Sequence, residues 1–193
     1  GVGTTTILMA FAARLGYEVT GASPLSFNSD KGEWEAAGSE TRTGSVRLSL
    51  LQDGRRVTLD YISLDLSDSA LKAAEPKMAW IRQMAAHPLL LKAASHLLQQ
   101  PNFTVLRDAL VANASMVVQD ETGLNYKDLS KIGPVRLYGR FSKTHPLFTT
   151  TSQPELAVAY RAEKEPRDLP FAFSYLKTAD SRSLQVVRRS PAN

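Results

Sequence analysis

The sequence predicts an α+β fold: a largely antiparallel sheet with helices gathered on one side. Three observations predict it. Val46, Leu48 and Leu50, then Val57, Leu59 and Tyr61, alternate with polar residues on either side of Asp53-Gly54. That is the pattern of a half-buried β-hairpin around a tight turn. The middle of the chain changes to apolar stripes at helical spacing. Alternation then returns in Val135, Leu137 and Gly139, and again in Phe171, Phe173 and Tyr175. There is no internal repeat and no interdomain linker, so residues 1–193 read as a single α+β domain.

The elements follow in order. Leu8, Phe11, Ala12 and Leu15 form one helix face, and Gly16 stops it. Tyr17 to Thr20 reads as a short strand. Residues 29–44, rich in Gly, Ser, Glu and Ala, read as an exposed loop. The hairpin comes next. Pro76 and Pro88 fit helical first turns. Met78, Ile81 and Ala85 make one stripe; Leu90, Ala94 and Leu97 make a second. Asn102 is placed to cap a third helix carrying Phe103, Leu106 and Leu110. Leu184 to Arg188 closes a terminal hairpin.

Composition narrows the function classes. The chain has 193 residues, 43% of them hydrophobic, with a mean hydropathy of -0.20. That supports a packed core, and no apolar run approaches the length of a membrane span. The net charge of +4 is dispersed apart from pairs such as Arg55-Arg56 and Arg188-Arg189. A nucleic-acid binder shows a basic stripe or a known motif, and neither is present. No cysteine occurs, which excludes disulfides, thiol catalysis and cysteine zinc sites. The chain opens on Gly1 rather than Met, so a missing signal peptide carries no weight.

Several motifs suggest chemistry. Gly1 to Thr6 resembles the phosphate loop of ParA-type ATPases, but Thr4 stands where the essential Lys belongs. His87, His96 and His145 lack the spacing of a metal site, so neither metal nor cofactor is expected. Lys92 and Ser95 fall three apart, as a Ser-Lys pair would on a helix, but no nucleophile turn surrounds Ser95. Asp65 and Asp68 follow the hairpin, where an acidic residue caps a helix or points into a cleft.

Gln119 to Tyr126 is the strongest candidate. An apolar run delivers Asp120 and Glu121 to a turn at Thr122-Gly123, concentrating acid, hydroxyl and phenol in one loop. The same residues also describe a self-satisfied Asx turn. Arg136 and Arg140 are near enough in sequence to pair with Asp120 or bind an anion. Either face of that strand would otherwise simply display them to solvent.

The ordered set of motifs resembles an uncharacterised bacterial envelope-associated protein family. It runs from Gly1-Val2 into Phe11 to Tyr17, then Tyr61 to Asp68, through Lys92 to Ser95 and Gln119 to Gly123. It continues through Leu137 to Arg140 and Gln153 to Leu156, to Tyr160. Family members usually read Asp-Asp-Ser-Gly where this chain has Asp120 to Gly123. Many carry an export or lipoprotein leader and a further N-terminal region with a Phe-Ser-Gly-Pro-Asp-type motif. The resemblance therefore implies a periplasmic or envelope location, with the cytoplasm as the alternative. It also implies that this chain matches the C-terminal portion of a longer precursor. It brings no activity.

The expectation is a binding or interaction domain for an unknown ligand or protein partner. Its cleft would be lined by Asp120, Thr122, Tyr126, Tyr138 and Arg140, with Asp68 contributing. The alternative is a hydrolase or transferase using Asp120 and Asp68 as acid and base, with Arg140 as an anion clamp. Convergence of the two carboxylates would distinguish them.

Overall fold

The computed structural model describes residues 2–38, 43–92, 94, 96–144, 153–163, 167–171, 173 and 182–190. It is α+β, as expected, but with two four-stranded sheets in two compact units, Gly1–Asp65 and Leu66–Asn193.

The first unit opens with helix α1, Val2–Arg14. Gly16 ends it as expected, at φ +86°. Its N–H donates to Ala13 and that of Tyr17 to Ala12, satisfying the last carbonyls of the helix. Thr4 to Thr6 lie inside α1, so they form no phosphate-cradling loop.

Strands β1 (Glu18–Asn28), β2 (Glu33–Ala36), β3 (Ser45–Gln52) and β4 (Arg55–Tyr61) follow, in the antiparallel order β2-β1-β3-β4. The expected loop over 29–44 therefore contains a strand. It pairs with β1 across the turn that follows Asn28, and its four residues are too few to show alternation. Asn28 builds the connecting turn, its side-chain oxygen accepting from the N–H groups of Asp30 and Lys31.

The β3–β4 hairpin forms as predicted, with Asp53 and Gly54 both at positive φ. β4 ends at Tyr61. Val46, Leu48 and Leu50 pack with Ala12, Leu8, Tyr17, Val19 and Tyr61 into the core of this unit.

The second unit contains α2 (Asp68–Lys72), α3 (Glu75–Ala85), β5 (Pro88–Leu91), two 3-10 turns (Leu97–Gln99 and Pro101–Phe103) and α4 (Thr104–Asn113). Then come β6 (Met116–Gln119), α5 (Tyr126–Leu129), β7 (Val135–Arg140), α6 (Pro154–Ala162) and β8 (Arg182–Arg188). The sheet order is β5-β6-β8-β7, with β5 parallel to β6 and both other pairings antiparallel.

Met78, Ile81 and Ala85 bury one face of α3, and Pro76 occupies its first turn, both as expected. Pro88 instead opens a strand, a position that needs no N–H toward a neighbour. Leu90, Ala94 and Leu97 share no helix. The short apolar run at 89–91 is ambiguous by periodicity, and parallel pairing with β6 decides it. Asn102 sits in a 3-10 turn and does not cap α4. Leu184 to Arg188 is a strand, but it lies between β6 and β7 rather than in a terminal hairpin. Phe171 and Phe173 are not in a strand; their rings meet edge to face at 6.4 Å. Tyr175 lies outside the described residues, as do His145 and Ser95.

A buried polar cluster at the carboxyl ends of β5 and β6

Parallel strands bring their carboxyl ends side by side, and there the chain must turn away with its polar groups satisfied. Leu91 and Gln119 are paired at the last step of β5 and β6, and the Asp120 N–H donates to Leu91 at 3.3 Å. Beyond that pair, two loops are joined by side chains.

Gln119 is fully buried and clamps the turn that follows it. Its Nε2 donates to the Leu124 carbonyl and to Gln185 Oε1, both at 2.8 Å, and its Oε1 accepts from Leu124 N–H at 3.0 Å. Gly123 is required by this clamp, because a Cβ there would lie 2.6 Å from Gln119 Oε1.

Asp120 is 0% exposed. Its Oδ1 accepts from the backbone N–H of Thr122 at 2.9 Å and from the Thr122 hydroxyl at 2.6 Å. This is the Asx turn that the sequence allowed. Its Oδ2 accepts from Lys92 Nζ at 3.2 Å, and Lys92 remains 36% exposed. The Lys92 ammonium also lies 5.3 Å from the centre of the Phe173 ring, within cation–π range.

Thr122 ties in the other loop. Its hydroxyl accepts from Ala94 N–H at 2.8 Å and its carbonyl from His96 N–H at 3.0 Å. His96 is buried, on a loop rather than a helix, at a φ of +58°. Burial pushes its imidazole below the ordinary value, against the opposing influence of Gln99 and Asp120. Gln99 donates to the Gly123 carbonyl at 2.9 Å.

Glu121 faces β8. Its Oε2 accepts from the Ser183 hydroxyl at 2.6 Å, and its carbonyl accepts from Gln153 Nε2. The Tyr160 hydroxyl donates to the carbonyls of Tyr138 and Leu184 at 3.0 and 3.3 Å, and burial raises its phenol far above the ordinary value. Among the described residues, two buried amide atoms, Gln153 Oε1 and Gln185 Nε2, have no hydrogen-bond partner.

The expected site residues divide. Asp120 and Thr122 are together, as proposed from the turn. Arg140 is exposed at the end of β7, opposite Arg182, and forms no ion pair among the described residues. The cation on Asp120 is Lys92 instead. Proximity in sequence favoured Arg140, but strand pairing brings the residue after β5 to the residue after β6.

Tyr138 is half-buried on β7, with the Arg167 guanidinium 5.5 Å from its ring centre. Tyr126 begins α5, a helix capped by the Asn125 side chain, which accepts from Asp128 N–H at 2.9 Å. With Lys127 and Ser130 it lines one wall of an open groove of about 590 Å³, whose other wall is Pro154, Glu155, Val158 and Ala159 of α6.

Asp68 caps a helix, though not its own. Its carboxylate accepts from the Thr104 hydroxyl at 2.6 Å and from Val105 N–H at 2.9 Å, at the amino end of α4. The Thr104 hydroxyl bond holds this carboxyl below its ordinary range, helped by the Val105 N–H. A lowered native value means the stabilisation is complete above the ordinary carboxylate range and is lost as pH falls through the lowered value. Asp68→Ala should therefore melt earlier than the parent at neutral pH, with faster amide exchange at Val105. The two melting curves should converge in acid; a gap that persists there would refute the capping account.

Sequence reasoning passed over Glu121, Gln153, Tyr160, Ser183 and Gln185 as members of one cluster. Ser183 and Gln185 alternate with Leu184 and Val186, which reads as a solvated strand face. A strand with neighbours on both sides can bury polar residues that its pattern assigns to water.

Among the described residues, no three His, Asp or Glu side chains group to hold a metal ion, and no helix is long and apolar enough to cross a membrane. Comparison with protein-family models, curated proteins and solved structures finds no match to the chain.

Proposed function

We propose that this chain is a binding or interaction domain of the bacterial cell envelope, with its ligand seated in the groove between α5 and α6. The observation that carries the reading is the state of Asp120. Both of its oxygens are engaged inside the protein and none of its surface reaches solvent, so it serves the fold rather than a substrate. The acid–base alternative also needs Asp68 to converge on it, whereas both Asp68 oxygens accept bonds at the amino end of α4.

The groove has the opposite character. It is concave and open, with Tyr126, Pro154, Val158 and Ala159 supplying apolar walls and Lys127 and Glu155 at hand for a polar group. Val158 is 55% exposed on the α6 wall of the groove. Such a surface suits an amphipathic ligand: an alkyl or aryl body with a charged or hydrogen-bonding end. The envelope location rests on the family resemblance, and fractionation of cells making the full-length protein tests it; recovery in the cytoplasm alone would reject it.

The groove is tested with an anilinonaphthalene sulfonate dye, which has an aryl body and one charged end. The parent should bind it with fluorescence enhancement, and amide shifts should concentrate on α5 and α6. Val158→Glu should abolish the enhancement without changing the melting temperature, because an exposed position tolerates charge. Unchanged dye binding in that variant would remove the groove from the proposal.

A further inference from the structure

We infer that β4 is a self-complementary interface through which two copies of this chain pair, edge to edge and antiparallel, about a two-fold axis at Thr58. Among the described residues β4 pairs only with β3, and Arg55 to Asp60 are all exposed. It is seven residues long, in unbroken register with β3, and free of proline and bulges. Those are the devices that normally blunt an exposed edge. The opposite edge strand, β2, has only four residues.

The hairpin geometry determines which backbone groups are available. Asp53 and Gly54 form a two-residue turn, so the flanking pair Gln52 and Arg55 is hydrogen-bonded. Arg55, Val57, Leu59 and Tyr61 therefore direct their N–H and C=O groups to β3. Those of Arg56, Thr58 and Asp60 point outward, and an added antiparallel strand must bond to these three.

A second β4 can meet them symmetrically in few registers. Centred on Val57, the register sets Arg56 opposite Thr58 and Asp60 opposite Gly54. Centred on Leu59, it sets Thr58 opposite Asp60 and Arg56 opposite Ile62. Centred on Thr58, every pair is matched. Arg56 faces Asp60 of the second copy, Thr58 faces its own equivalent, and Val57 faces Leu59. Opposite charges, Thr–Thr pairs and apolar pairs directly across strands are the stabilising combinations. Asp60 already accepts two bonds from Arg47, at 2.8 and 2.7 Å, and would then lie between two guanidinium groups.

The side chains agree with the backbone. Val57 and Leu59 lie opposite Leu50 and Leu48, which are buried in the core under α1. Yet Val57 is 43% and Leu59 39% exposed. Pairing at Thr58 joins these four side chains from two copies into one apolar strip on the α1 face. A two-fold contact of this kind is closed, so it yields a dimer and not a fibre.

The cysteine-free sequence allows a direct test on the full chain. In the Thr58-centred register the two Thr58 Cα atoms would be about 5.5 Å apart, within disulfide reach. Thr58→Cys should oxidise quickly to a covalent dimer, whereas Asp30→Cys in the β1–β2 turn should not. Sedimentation of the parent should show a two-chain mass that falls to one chain on dilution. Thr58→Pro removes an outward N–H without touching a β3 bond, so it should be monomeric with an unchanged circular dichroism spectrum. A parent that sediments as one chain at every concentration would overturn the inference. So would a Thr58→Cys that cross-links no faster than Asp30→Cys.

Discussion

Gly139→Ala should lower the stability of the second unit by about 4 kcal/mol or more, the range reserved for a forced backbone clash. Gly139 lies in β7 at a φ of +76°, beside β8. A Cβ built there would stand 1.7 Å from the Arg182 carbonyl oxygen. That oxygen belongs to a paired strand and cannot rotate aside as a flexible side chain would. The Gly139 N–H also donates to the Arg167 carbonyl at 2.8 Å, so β7 cannot shift without breaking a second contact. Gly54→Ala is the control. Gly54 has the same φ but nothing within 4 Å of its virtual Cβ. It should cost only the left-handed strain of about 1–2 kcal/mol. Urea denaturation of both variants measures the difference, and equal midpoints would refute the close-approach argument.

Asp120→Ala should cost about 3 kcal/mol, the lower part of the range for breaking a buried ion pair. The lower part applies because Lys92 is one-third exposed, so its ammonium rehydrates when the partner is lost. What remains is the Thr122 N–H and hydroxyl, sealed from water without their acceptor. Asp120→Asn keeps an oxygen for Thr122 and gives up the charge, so it should cost less, about 1–3 kcal/mol. Chemical denaturation should give this order, with the alanine variant worse. An alanine variant within about 0.5 kcal/mol of the parent, the usual range of a surface substitution, would mean that the Asp120 network adds nothing to stability.

The parts of this fold legible in the sequence are those governed by neighbours along the chain. The β3–β4 hairpin is declared by its own alternation and by Asp53-Gly54, and the end of α1 by Gly16. The Asx turn at Asp120 to Gly123 was likewise visible as a local option. The parts that were not legible depend on partners far away in sequence. Residues 88–91 are a strand because β6 lies beside them. Thr104 begins a helix whose cap, Asp68, lies 36 residues earlier. The choice of Lys92 over Arg140 as the partner of Asp120 follows from strand order, which single-residue spacing does not encode. Gln185 is buried because its strand has a neighbour on each side, and a strand's pattern describes its faces but not how many neighbours cover them.

The position of β8 in its sheet bears on how the protein is made. The first unit closes all its strand pairs within residues 18–61. In the second, β8 runs from residue 182 to residue 188 yet separates β6 from β7. Gln119 waits 66 residues for Gln185. A ribosome adds those residues over several seconds. During that time β6 and β7 have no strand between them, and the polar side chains at the end of β6 have no lid. The first unit can therefore fold on the nascent chain, while the second is committed to folding after its last strand emerges. That interval of synthesis is when a chaperone would find this protein.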